Sequence, residues 1–359
     1  VLVAACAVAF VPRARWLAPS PKLAAGPPVS GAAAARVDDS VFVFGGLDPD
    51  RTVTNALWRF SDADGWEEFQ AKSSDDARPC QRMYTAAFAQ GGELVIAGGW
   101  DPGAKGSGGT FLDDAWTIDV RASAPTWRRV EGGLPGGPVS RHVACALDDH
   151  SAVLHSYRSD GHVLVYDSRT RAFHEQRTMG EGPDRIGMHA AAMLDGPTLV
   201  VYGGGDKDTT TGFSPDAWAL KCRGERWQWT RLRNDGASRP PALGSACAAP
   251  VDGESLVIFG GAEMRGAYDG GQGLLARAEA WSLTLGGDNG DIAHWRCLCP
   301  DGLEGGAAAG PHTPSARVAA TLTPLPSADS SQTHQLLLHG GWRPSDAHTF
   351  QEGQVLSLL

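Results

Sequence analysis

Five short apolar runs in this chain each end on a pair of glycines. Val41-Phe42-Val43-Phe44 leads to Gly45-Gly46, Leu94-Val95-Ile96-Ala97 to Gly98-Gly99, Leu199-Val200-Val201-Tyr202 to Gly203-Gly204, Leu256-Val257-Ile258-Phe259 to Gly260-Gly261, and Leu336-Leu337-Leu338 to Gly340-Gly341 one residue later. A run of this length stopped by a turn signal reads as a buried strand. Its recurrence in a fixed context is the signature of a repeat fold, and that constrains the chain more than any single motif.

The fullest copy runs from Pro183 to Trp229. Arg185 and His189 open a small-residue run, Ala190-Ala191-Ala192-Met193; the apolar strand and its glycines follow, then Asp216-Ala217-Trp218 and finally Trp227. That is four strand candidates in about 45 residues, the size of one propeller blade. The first copy has Ala32 to Ala35, then Trp58 and Trp66; the second has Arg82, Tyr84, Trp116 and Trp127; the fifth has Ser245-Ala246-Cys247, Trp281 and Trp295. The third copy is degenerate: it opens on Arg141-His142, places His155-Ser156 where glycines are expected, and has Tyr166 and Phe173 for the tryptophans. A sixth copy opens at Arg317 and stops at Val355-Leu356-Ser357-Leu358 without its last strand, while Arg15-Trp16-Leu17 stands unattached at the other end. Pairing the two would close the ring and remove the exposed sheet edges of an open array.

Five glycine pairs in register, each with tryptophans following and a basic residue often opening the next strand, resemble kelch repeats. The resemblance covers the chain from about Trp16 to its end and implies an all-β fold: a six-bladed kelch-type β-propeller, closed by an N-terminal outer strand pairing with the C-terminal blade. The expected organisation is a single propeller over residues 15–359 behind an apolar leader, 1–14. Val1 to Val11 is too short to span a bilayer and is either a remnant of a targeting segment or an ordinary leader. The expected location is cytoplasmic, or secretory or organellar if that segment is a truncated signal.

Composition excludes some classes. A formal charge of −10 argues against nucleic acid, whose binding needs clustered Lys and Arg. Seven cysteines without regular spacing do not make a disulfide framework. Cys297 and Cys299 have no second pair or nearby histidine at zinc-like spacing. No segment has the length and apolarity of a membrane span.

Alternating strand directions put the loop between a blade's second and third strands, and the connector to the next blade, on one face. The long polar insertions fall there: Leu47 to Thr54, Asp101 to Asp113, Gly205 to Pro215, Ala262 to Ala278 and Arg343 to Glu352. The same mouth is expected to carry Arg82, Tyr84, Arg141, His142, Arg185, His189 and Arg317, with Trp100 and Trp342 directly after two of the glycine pairs. Guanidinium groups pair with carboxylates, so the expected activity is that of an interaction module or scaffold holding a protein partner with an acidic segment. The competing reading is that each arginine ties neighbouring blades together.

The resemblance also brings in kelch-type enzymes acting on small molecules or sugars. Those like galactose oxidase, nitrile-specifier proteins or sialic acid mutarotases are disfavoured for want of a matching constellation. The tyrosines are scattered at 84, 157, 166, 202 and 268, and Glu181, Asp184 and His189 miss the four-residue steps of an iron site. His155, His162 and His174 gather in the degenerate copy and read as surface histidines. No cofactor, metal or catalytic residue is therefore assigned, and the oligomeric state stays open.

Overall fold

Alanine-rich first strands, Val/Ile/Leu-rich second strands and tryptophan-bearing third and fourth strands pair in sequence order because each is short and separated from the next by a turn. The computed structural model describes residues 14–74, 77–103, 108–183, 185–205, 212–236, 238–269, 272–299, 312–326 and 333–358. The leader Val1 to Val11 lies outside them, as do parts of three of the long loops. The strands form six antiparallel blades, the fifth gaining an extra strand, Arg233–Asn234, parallel to its outer strand Ile292–Cys299. Neighbouring first strands pack side by side around the axis. No helix is long and apolar enough to cross a membrane among the described residues.

The ring closes as expected. Thr321–Pro324, His334–His339 and Gly353–Leu358 make three strands of the last blade, and Ala14–Trp16 supplies the fourth in the register Ala14 to Leu358 and Trp16 to Leu356. The propeller thus includes Ala14, one residue earlier than the sequence suggested. Six apolar clusters fill the blade seams, one to each. Trp16 seals the fifth seam with its ring 5.3 Å from that of Phe259.

The glycine pairs have a specific task at these seams. The amide of Gly204 donates to Leu243 O in the next blade at 2.8 Å, and a Cβ on Gly203, whose φ is +72°, would lie 2.3 Å from the same oxygen. The arrangement recurs: Gly46 donates to Arg82 O, Gly99 to Val139 O, Gly261 to Arg317 O and Gly341 to Val29 O, all at 2.8–3.0 Å. Blade 3 differs. Its strands pair Val143 with His155, as Ala86 pairs with Ala97, so the glycine positions belong to Ser156 and Tyr157 rather than to His155-Ser156. Among the described residues no backbone bond from either position crosses to blade 4, and Ser156, at the first glycine's place, donates its amide to Ser159 Oγ in its own turn at 3.0 Å.

Two residues beyond each accepting carbonyl, the chain makes a second closure. Gly31, Tyr84, Arg141, Met188, Ser245 and Ala319 all have positive φ, 52–64°. Each amide donates to the carbonyl of the equivalent residue in the preceding blade, Gly31 to Ala319 completing the circuit, at 2.7–3.0 Å. Six hydrogen bonds thus form an unbroken ring around the axis. Left-handed backbone costs a non-glycine residue about 1–2 kcal/mol, and closure of this ring keeps five such residues in place.

Gly203→Ala and Gly161→Ala separate strain from collision. Both glycines have positive φ, but nothing lies within 4 Å of a Cβ at Gly161. Gly161→Ala is expected to lower stability by about 1 kcal/mol and Gly203→Ala by at least twice that, read from denaturant midpoints. Equal losses would remove the seam contact as the reason for the glycine.

Candidate functional site

The loop face is built by hairpins that follow the glycine pairs. Trp100–Asp101 pairs with Thr110–Phe111, Ala262–Asp269 with Gln272–Ala276, and Trp342–Arg343 with His348–Thr349. Isolated bridges from Met83 to Trp100 and from Val318 to Trp342 hold two of these hairpins against the starts of the first strands. Loops and strand openings therefore share one face.

The arginines expected at this mouth divide. Arg82 is fully buried and makes a two-pronged ion pair with Asp114, Nη1 to Oδ1 at 2.6 Å and Nη2 to Oδ2 at 2.9 Å, with further bonds to Gly98 O and Cys80 O. Burial alone would lower its pKa, yet hydrogen bonding and charge from Asp114 outweigh that and raise it. Burial likewise opposes the ionised Asp114, but the guanidinium and the Trp116 indole hold its carboxyl below the ordinary value. Arg317 is the equivalent residue of the last blade. It is buried, bonds Glu352 Oε1 at 3.0 Å and Gly340 O at 3.2 Å, and stacks on Phe350 with the guanidinium carbon 3.7 Å from the ring centre. Both arginines were expected on the binding surface; both are framework, because the second strand's terminal carbonyl and a nearby carboxylate consume their donors.

Arg141 is not their equivalent. It occupies the position of Tyr84 in the hydrogen-bonded ring, which turns its side chain out onto the loop face. Its guanidinium carbon stands 4.5 Å from the centre of the Tyr84 ring and 5.5 Å from that of Trp100. The only hydrogen bond of its side chain among the described residues is a long one, to Ser140 Oγ at 3.5 Å. Phe111, across the hairpin from Trp100 with ring centres 6.4 Å apart, is 46% exposed. Sequence reasoning missed Phe111, which lies in an insertion with no repeat counterpart. Tyr84, Trp100, Arg141 and Phe111 thus form one cation–aromatic cluster above a cavity of ≈150 Å³ at the axis.

The remaining candidates lie apart from it. Arg185 is exposed on the connector entering blade 4, and Trp342 is half-buried on the hairpin of blade 6. His142 and His189 sit below the surface: His142 Nε2 bonds Ala97 O at 3.1 Å, and His189 Nε2 shares a proton with His155 Nδ1 at 3.0 Å across the seam of blades 3 and 4. His155 therefore meets a neighbour from the next blade rather than His162 or His174. Asp184 lies outside the described residues. Among those residues no three His, Cys, Asp or Glu side chains are grouped to hold a metal, and all six described cysteines are free thiols.

No protein-family profile matches the chain. It is 26% identical over 245 residues to Adagio-like protein 1 of Oryza sativa subsp. japonica, covering 64% of this chain and 38% of that protein. It is 26% identical over 207 residues to Adagio protein 3 of Arabidopsis thaliana, covering 55% and 32%, and 28% identical over 172 residues to the serine/threonine-protein phosphatase BSL2 of the same plant, covering 45% and 16%. The chain thus matches about a third or less of the length of these relatives. A solved structure, that of YjhT, superposes with a TM-score of 0.65 at 14% identity over 96% of this chain and 99% of that one.

Two outcomes follow from this geometry. Arg82→Met strands the Asp114 carboxylate and is expected to cost about 3–5 kcal/mol, whereas Arg141→Met costs under about 1 kcal/mol, as for a surface change; equal losses in urea titration would refute the division. The second concerns pH. Burial depresses the pKa of His142 to about 4 and of His155 and His339 to about 3, and that of His189 falls as well. Each imidazole is neutral when folded and takes a proton near pH 6.5 when unfolded, so the unfolded state binds more protons between these values. Stability is therefore held above about pH 6.5 and declines as pH drops toward 4, by up to about 1.4 kcal/mol per pH unit for each histidine. A flat midpoint between pH 7 and 5 would contradict the neutral buried histidines.

Proposed function

We propose that this chain, a kelch-repeat β-propeller, is a protein-interaction module whose loop face docks an acidic segment, with Arg141 as its anchor. One observation carries the reading. Arg141 is a non-glycine residue in left-handed backbone, half-buried between two aromatic faces, and no carboxylate pairs with it among the described residues. All six ring positions share that backbone, so what distinguishes Arg141 is a half-buried cation held without a carboxylate, an arrangement that costs stability unless a ligand supplies the charge. Its two aromatic neighbours fix the planar guanidinium before a ligand arrives, so little rotamer entropy is lost when a carboxylate accepts its N–H groups. Phe111 offers an apolar platform beside that charge, the mixture typical of binding hot spots.

The relatives support a module rather than a free-standing enzyme. They are larger proteins in which the stretch similar to this chain is a minor part of the length. A rigid ring with loops of unequal length leaves recognition to the loops.

Selection of a random peptide display library on the purified protein tests this. Peptides recovered on the unaltered chain are expected to be enriched in Asp and Glu, and Arg141→Met to weaken the best of them at least tenfold, about 1.4 kcal/mol. Recovery of peptides with no acidic bias, or binding indifferent to Arg141→Met and Trp100→Ala, would dismiss the loop-face reading.

A further inference from the structure

A cavity of ≈950 Å³ opens on the opposite face, where turns join first strands to second strands. All six first strands line it, through small side chains such as Ala34, Ala87, Cys145, Ala191 and Ala248. It is not a symmetric funnel. It also reaches His174 and Gln176 on the outer strand of blade 3 and Cys222 and Trp227 on blade 4, so it runs outward along that one seam. This is the seam that lacks the glycine pair, and among the described residues no amide from Ser156 or Tyr157 makes the crossing backbone bond of the other seams.

The rim of this cleft is acidic on one side. Asp148 and Asp195 line it from the turns of blades 3 and 4, and these turns and that of blade 5 also carry Asp149, Asp252 and Glu254. Backbone and side-chain bonds hold the turns in an arc: Asp195 N donates to Gly253 O at 2.8 Å, and Gln90 Nε2 donates to Asp148 O at 2.8 Å. Two arginines also line the cleft: Arg36 donates to Leu325 O at 3.2 Å, and Arg169 lies 3.6 Å from Asp167, which offsets part of its charge. Cys145 in the wall is no nucleophile, since burial pushes its thiol up to about 12.

We propose that this cleft is a second docking site, for an extended peptide segment carrying lysine or arginine. Charge complementarity selects the basic segment. The ammonium or guanidinium lies against the arc of carboxylates while its aliphatic stem covers Leu147 and Met193, the division that long basic side chains favour. The dimensions suit a peptide: four strands about 4.8 Å apart give a radial arm of roughly 15–20 Å, the span of about five extended residues. The site is independent of the loop face, so the module would hold an acidic segment on one side and a basic one on the other.

The probe is a fluorescein-labelled peptide, acetyl-Leu-Lys-Ala-Lys-Leu-amide, with the glutamate counterpart as control, titrated against the full chain by anisotropy. The lysine peptide is expected to bind and the glutamate peptide not to. The triple variant Asp148→Asn, Asp195→Asn, Asp252→Asn should weaken binding at least tenfold; asparagine keeps the side-chain oxygen that accepts turn amides at positions 148 and 252, so folding is retained. Met193→Trp, which fills the cleft without changing charge, should weaken it similarly, while Arg141→Met should leave it unchanged. Absence of lysine-peptide binding, equal binding of both peptides, or insensitivity to the triple variant would overturn the proposal. Full displacement by n-butylamine at concentrations equal to the peptide would assign the cleft to small cations and overturn the peptide reading.

Discussion

The structure depends on one acceptor at each regular seam: the carbonyl presented by the residue two positions before the ring, as in Leu243. A glycine amide reaches it from the preceding blade, and the glycine before that must lack a Cβ to let it approach. The second glycine is equally confined, because a Cβ on Gly204 would meet Gly187 O at 2.6 Å and the His189 side chain at 2.8 Å. This contact sets the distance between blades, and the ring of six amides from Gly31 to Ala319 then fixes their number. The tryptophans fill what remains: the blades diverge from the axis, so seams that admit only alanine inside require large aromatic rings outside.

The architecture was legible because its determinants are repeated. A diglycine, a tryptophan and an unattached terminal strand each report a backbone requirement that recurs, and five imperfect copies correct one another. The site was less legible for the same reason. Arg82, Arg141, Arg185 and Arg317 look alike beside their small-residue runs, yet the structure puts only Arg82 and Arg317 at one position, Arg141 two further along and Arg185 one short. A shift of two residues at the strand entrance decides between a buried guanidinium and an outward one, and no periodicity in that irregular stretch reveals it. A partial signal did exist. Arg82 shares its blade with Asp114-Ala115-Trp116, whose carboxylate takes both the guanidinium and the indole, while the third strand of Arg141's blade begins at His162, with its acid, Asp167, at the far end.

Blade 3 concentrates the departures. The glycine pair is lost, the insertion after it shrinks to a tight turn, and the seam to blade 4, which keeps its ring bond from Met188 N to Arg141 O, has the His155–His189 bond where the glycine amide would cross. The imidazole pair is a pH-sensitive substitute, since one ring must accept and burial holds both rings below their ordinary pKa. Among the described residues no protein group bonds His142 Nδ1, His155 Nε2 or His189 Nδ1. The same blade supplies Arg141 on one face and the widened cleft on the other, so both candidate surfaces derive from the copy that matches the template least.

Charge sharpens the contrast between the faces. With a formal charge of −10 the chain repels acidic partners at long range, but at physiological ionic strength that repulsion is screened beyond about 8 Å. Arg141 must therefore act at contact, through its aromatic clamp and the apolar surface of Phe111, and affinity there would reside in slow release rather than fast capture. The acidic arc on the opposite face has the overall field on its side, and a basic segment would be drawn to it before touching it. One ring can present two such different surfaces because much of its rigidity comes from backbone bonds at the seams, which leaves side chains such as Arg141 and Phe111 outside the framework.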